Sequence, residues 1–151
     1  MSYEVTKLYQ EMLEKLRAER YTKRYKENDH EYTNRKMAKK VGVSATQYCK
    51  YEDNIHTPPT TVFIKWCESL GYAFELNGLS TWDEIHKNLN KNFKIYIDWG
   101  GSFTEIKSKS GFCKETVESW LKGTTIPNIY NLLELNRVMY MSDEVVFCKK
   151  G

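Results

Sequence analysis

The chain has 151 residues, of which 40% are hydrophobic, 28% charged and 14% aromatic, with a formal net charge of +3. That balance belongs to a globular protein with a modest core rather than a disordered one, and its slight basicity permits a nucleic-acid partner without demanding one. No apolar run approaches the ~20 residues of a membrane span, and the N-terminus lacks a signal peptide's apolar core, so a cytoplasmic protein is expected.

Val5, Leu8, Tyr9, Met12, Leu13 and Leu16 recur at helical spacing and predict an amphipathic helix that continues through the basic segment to about Lys26. Residues 26–32 read as a loop. A short helix follows from about Thr33 to Val41 and must stop at Gly42. The next starts at Ser44, where Ser44 and Gln47 fit a capping box, and runs to about Asp53; Asn54 then tolerates the left-handed conformation that ends helices. Pro58 and Pro59 enforce a loop before a helix over 60–70, whose apolar positions are Val62, Phe63, Trp66 and Leu70. YAFEL (72–76) alternates like a strand and ends at Asn77-Gly78, a turn signal that sets a boundary between a first domain, 1–77, and a second, 78–151.

In the second half, Ser80/Asp83 and Thr81/Glu84 offer overlapping caps for a helix. FKIYIDW (93–99) admits either a strand, by alternation, or a helix end, and Gly100-Gly101 breaks it in both cases. Helices over about 102–110, 113–122 and 128–139 follow, and EVVFCKK (144–150) is a candidate terminal strand. The fold class expected is mainly α: two tandem small helical domains with short β segments after each.

Cys49, Cys67, Cys113 and Cys148 are widely spaced, without a CxxC pair or a histidine at ligand spacing, so reduced thiols are expected and neither a metal nor a cofactor. His30, His56 and His86 lie in unrelated contexts, and there is no glycine-rich phosphate loop or nucleophile elbow; an enzyme is not expected. Charge is distributed unevenly. RAERYTKRYK (17–26) and NRKMAKK (34–40) are basic, and the second half has no comparable run.

The turn residues repeat. Gly42, Asn54 and Pro58 are followed 69 positions later by Gly111, Gly123 and Pro127. Two short helices joined by a tight glycine turn form a helix-turn-helix. Its packing places Val43, Tyr48 and Tyr51 in the core and leaves Ala45, Thr46, Cys49 and Lys50 on the exposed face of the second helix.

Residues 33–71, through Asn34, Met37-Ala38, Gly42-Val43-Ser44, Tyr48, Glu52, Asn54 and Pro58, resemble the phage-repressor (Xre/Cro-type) helix-turn-helix family. The resemblance implies that the second helix of the pair enters the major groove with Ala45, Thr46, Gln47 and Lys50 as base readers: Lys50 for guanine, the Ala45 methyl for thymine, Thr46 for several bases. It further implies phosphate contacts from Arg20, Lys23, Arg24, Asn34, Lys36 and Lys39, and an ion pair between Glu52 and Arg17 or Arg20. The second copy matches at Ile106, Gly111-Phe112, Val117, Trp120, Gly123 and Pro127. It departs at Lys107 (where the family has alanine), Cys113 (the capping serine) and Leu121 (the glutamate). Its corresponding surface carries Lys114, Glu115, Glu118 and Ser119, and carboxylates near phosphates weaken binding unless each accepts from a cytosine amino group.

A sequence-specific transcription regulator is therefore expected, a repressor of phage or mobile-element type binding double-stranded DNA. The acidic second copy keeps an alternative open: a protein-binding module, as in antitoxins and phage-encoded inhibitors of host nucleases such as anti-CRISPR proteins. A monomer covering two half-sites and a homodimer are both compatible with the repeat.

Overall fold

The apolar stripe of the N-terminal segment is buried along one long helix, α1 (Tyr3–Tyr21), with Val5, Tyr9, Met12, Leu13 and Leu16 inside. The structure is a computed structural model that describes residues 3–139 and 144–150. After Tyr21 the helix widens into a π-helical turn, Thr22–Lys26, closed by Glu27 N–H donating to the Thr22 carbonyl at 2.9 Å. A 3₁₀ turn, His30–Tyr32, lies inside the stretch expected as loop.

Helix α2 (Asn34–Val41) starts at Thr33, whose hydroxyl accepts from Lys36 N–H, and stops at Gly42, whose φ of 80° only glycine adopts at little cost. Helix α3 (Ala45–Glu52) is capped by Ser44, which accepts from Gln47 N–H at 3.1 Å. The capping box is only half formed. The Gln47 amide bonds instead to His56 Nδ1 at 3.1 Å, because Asn54 (φ 59°) folds the chain back and His56 N–H reaches the Lys50 carbonyl. Helix α4 (Thr60–Ser69) buries Phe63 and Trp66, and strand β1 (Tyr72–Leu76) ends in the Asn77-Gly78 turn, both residues having positive φ.

Helix α5 (Trp82–Asp98) settles the ambiguous FKIYIDW segment as helix: Leu89, Phe93 and Tyr96 extend the stripe begun by Ile85, and this face packs on the core. Gly101 then passes over the Tyr96 ring, where a Cβ would stand 2.4 Å from ring carbons. Helices α6 (Phe103–Ser110), α7 (Lys114–Lys122) and α8 (Ile129–Val138) follow, and strand β2 (Val145–Lys149) completes the described chain. The fold is mainly helical with one small two-stranded sheet. None of its described helices is long and apolar enough to cross a membrane.

Helices α6 and α8 begin and end 69 positions after α2 and α4, and α7 begins 69 positions after α3. The punctuation follows. Ser102 caps α6 as Thr33 caps α2, Gly111 (φ 83°) matches Gly42, and Gly123 (φ 79°) matches Asn54.

Three contacts between the two halves bear on their symmetry. Strands β1 and β2 pair antiparallel, from Tyr72↔Lys149 to Leu76↔Val145, so the β segments pair with each other across the halves. The first turns of α1 lie on α8, where Thr6 Oγ1 and the Tyr130 hydroxyl are 2.9 Å apart and Glu4 pairs with Arg137. The third contact is reciprocal. Thr60 N–H donates to the Pro127 carbonyl at 3.0 Å, Ile129 N–H donates to the Pro58 carbonyl at 3.0 Å, and Pro59 and Asn128 form the bridge between them. Exchanging each residue here for its equivalent 69 positions away returns the same contacts, which is the signature of a local two-fold relation. Leu76 and Val145, also 69 positions apart, meet on the same basis. One cluster of buried side chains runs through both halves, including Met12, Leu16, Met37, Tyr48, Phe63 and Trp66 from the first and Ile106, Ile129, Leu132, Leu133 and Leu135 from the second.

Candidate nucleic-acid interface

Helices α2 and α3 carry the basic, exposed surface of the first half. Between residues 34 and 52 the charged side chains are Arg35, Lys36, Lys39, Lys40, Lys50 and Glu52. The only acid among them is buried. Glu52 accepts from Arg20 through both carboxylate oxygens, at 2.5 Å from Nε and 2.6 Å from Nη2, and Arg20 Nη1 donates to the Tyr32 carbonyl at 3.2 Å. Burial works against the Arg20 charge, but the hydrogen bonds and charge of Glu52 outweigh it and hold the guanidinium above its ordinary value.

This pair corrects one expectation. Arg20, expected to hold a DNA phosphate, is 4% exposed and committed to Glu52, so it braces α1 against α3 and is withdrawn from the phosphate-facing set. The expected Glu52 partner is thereby identified as Arg20 rather than Arg17. Tying α3 to α1 through a buried bidentate pair fixes the direction in which α3 points.

Of the expected base readers, Ala45 and Thr46 are exposed in the first turn of α3, while Gln47 and Lys50 are half-buried. Gln47 is engaged with His56, which anchors the following loop on α3. Asn34, exposed at the start of α2, donates to Cys49 Sγ at 3.3 Å and ties α2 to the exposed face of α3. Lys39 is exposed and forms no ion pair among the described residues. Lys36 approaches Glu31 at 3.9 Å, an exposed pair that water and salt weaken. Lys23 lies 3.8 Å from Glu19 and 5.2 Å from the centre of the Tyr32 ring, and Arg24 lies over Tyr25 at 5.2 Å. Two further basic side chains, Arg35 and Lys40, stand exposed on α2; Lys40 rests 3.9 Å from the centre of the Tyr32 ring. Both lie inside the RKMAKK run, whose charge had been the sequence signal.

The α6–α7 face differs in chemistry. Residues 103–121 carry three lysines and three glutamates. Lys107, at the position of buried Ala38, is exposed, and α6 buries only Ile106 where α2 buries Met37, Ala38 and Val41. Cys113 supplies no side-chain cap to α7. Lys114 lies over the Phe103 ring at 5.4 Å, Glu118 approaches Lys122 at 4.0 Å, and Ser119 donates to the Thr116 carbonyl at 2.7 Å. Glu115 is exposed and forms no ion pair among the described residues. The stretch from α7 into its following loop is held by His86, whose Nε2 lies within 3.0 Å of the Trp120 and Leu121 carbonyls.

Comparison with protein-family models, with curated proteins and with solved structures finds no match to this chain.

Proposed function

We propose that this chain is a sequence-specific DNA-binding regulator of phage or mobile-element type, acting in the cytoplasm on double-stranded DNA. The α2–α3 pair is its helix-turn-helix, with α3 in the major groove, and the α6–α7 pair is a divergent second copy. The observation that carries this reading is the α2–α3 surface: between residues 34 and 52 every exposed charge is positive, and the exposed start of α3 stands beside it. Ala45, Thr46 and Lys50 face base edges, with Gln47 at the margin, while Asn34, Arg35, Lys36 and Lys39 hold phosphates that set position and affinity but carry no sequence information.

Titrating the purified chain into random duplex DNA at two salt concentrations tests the reading. Each phosphate neutralised contributes a slope of about −0.9 in log K against log salt, so three to five contacts weaken binding steeply between the two conditions. Absence of binding at low salt sinks the proposal. The balanced charge of residues 103–121 favours a second reading, in which α7 is a protein-binding face; DNA binding that is indifferent to every exposed substitution on α7 would support it.

A further inference from the structure

We infer that a single chain reads a bipartite, non-palindromic DNA site, with α3 on one half and α7 on the other, and that the second half is marked by a cytosine facing Glu115. This rests on the DNA-binding reading above and extends it to α7, to the stoichiometry and to the form of the site.

The geometry comes from the reciprocal contact. Thr60 and Ile129 are equivalent positions, as are Pro58 and Pro127: Thr60 N–H donates to the Pro127 carbonyl and Ile129 N–H to the Pro58 carbonyl, both at 3.0 Å. A second equivalent pair, Leu76 and Val145, meets in the sheet. The α2–α4 and α6–α8 units therefore face each other across a local two-fold relation inside one polypeptide. Two antiparallel half-sites of B-DNA have that same symmetry, which is why two-fold related reading helices match them.

The reach is compatible. Pro59 stands seven positions after the end of α3 at Glu52, and the equivalent stretch runs from Leu121 to Asn128. Such a stretch spans at most about 25 Å and the bridge between the two adds about 5 Å, so Glu52 and Leu121 lie within roughly 55 Å of each other. That bound accommodates the ~34–36 Å between successive major-groove faces on one side of a duplex. The chain needs no second copy to present two reading helices.

The chemistry of the halves is unequal. The first unit, with no exposed acid between 34 and 52, supplies affinity. The second, with three lysines and three glutamates between 103 and 121, supplies little. In the first turn of α7 the exposed acid is Glu115, 69 positions after Thr46, and it forms no ion pair among the described residues; Lys114 lies over the Phe103 ring, and Glu118, half-buried one turn further on, approaches Lys122 at 4.0 Å. In a major groove a carboxylate gains only from an amino donor; the adenine N6 amino group stands beside the N7 acceptor of the same base, which repels a carboxylate, so the donor that suits it is the cytosine N4 amino group. Glu115 thus lowers affinity for most sequences and restores it where that cytosine is present, so discrimination lies in the weaker half.

Selection of tight binders from a random duplex library with the full-length chain, followed by native mass spectrometry of the complex, tests this. The expected outcome is one chain per duplex and a motif of two dissimilar halves centred about 10–10.5 base pairs apart. Glu115→Gln should leave the first half unchanged and move one position of the second from cytosine toward adenine, which glutamine reads, by roughly tenfold or more. Glu118→Gln should leave both halves as they are. A motif confined to one half, two chains per duplex, or an unchanged motif with Glu115→Gln overturns the inference while leaving DNA reading by α3 standing. Recovery of no motif at all overturns both.

Discussion

Arg20 and Glu52 form a buried bidentate ion pair that joins α1 to α3, and the position equivalent to Glu52 in the second unit is Leu121. A buried pair is costly to break and cheap to replace as a whole. Glu52→Ala, which strands the Arg20 charge, should destabilise the protein by about 3–5 kcal/mol in urea unfolding. The double variant Arg20→Met with Glu52→Leu, which copies the apolar solution at position 121, should be near neutral. A double variant as unstable as the single one would mean that the pair is needed for more than neutrality.

The glycines that end α2 and α6 lend themselves to a cleaner test of local backbone preference. Gly42 and Gly111 have φ of 80° and 83°, and a Cβ at either would meet nothing within 4 Å. Alanine at each should therefore lower stability by strain alone, about 1–2 kcal/mol, and by similar amounts. Unequal losses in thermal unfolding would show that one turn relaxes and the other does not.

Tyr51 and Trp120 occupy equivalent positions and are both 5% exposed, fastening α3 and α7 to the core. Removing either aromatic side chain should cost ~3–5 kcal/mol, comparable with the whole stability of a small domain. The core is continuous and the sheet spans both halves. Tyr51→Ala and Trp120→Ala are accordingly expected to lower one shared hydrogen-exchange transition. Two transitions, each sensitive to one variant only, would instead establish 1–77 and 78–151 as independent domains.

On the DNA-binding reading proposed above, charge on α7 sets part of the non-specific attraction. Glu115→Lys with Glu118→Lys replaces two exposed or half-exposed acids by bases and should strengthen binding to arbitrary duplex DNA at low salt, with fold and chain stoichiometry unchanged. Unchanged non-specific binding would place α7 away from the duplex.

Much of the local structure was legible because it is written in single residues. Thr33, Ser44 and Ser102 cap helices, Gly42 and Gly111 end them, and Pro58 and Pro127 keep the loops open, each through its own backbone or hydroxyl chemistry. The FKIYIDW segment was ambiguous because β-branched and aromatic residues favour strands, and only packing of Tyr96 and Phe93 on the core decides for helix. Arg20 was misplaced although its signal was present: it stands four residues after Leu16, on the buried stripe of α1, so periodicity already turned it inward. Gln47 was assigned to its cap because capping is local, while His56 is brought to it by a turn nine residues on. The contact between Pro58–Thr60 and Pro127–Ile129 had no sequence signal beyond the 69-residue offset, since an offset identifies equivalent positions and not whether they touch.

If α3 reads bases while α2 holds phosphates, as proposed above, two lysine variants separate the two roles. On the sequence selected by the intact chain, Lys50→Ala should weaken binding by about 1–3 kcal/mol and relax one base position. Lys39→Ala should weaken every sequence alike and reduce the salt slope by about one unit. Equal losses on all sequences for both variants, with the preference at every base position intact, would contradict the claim.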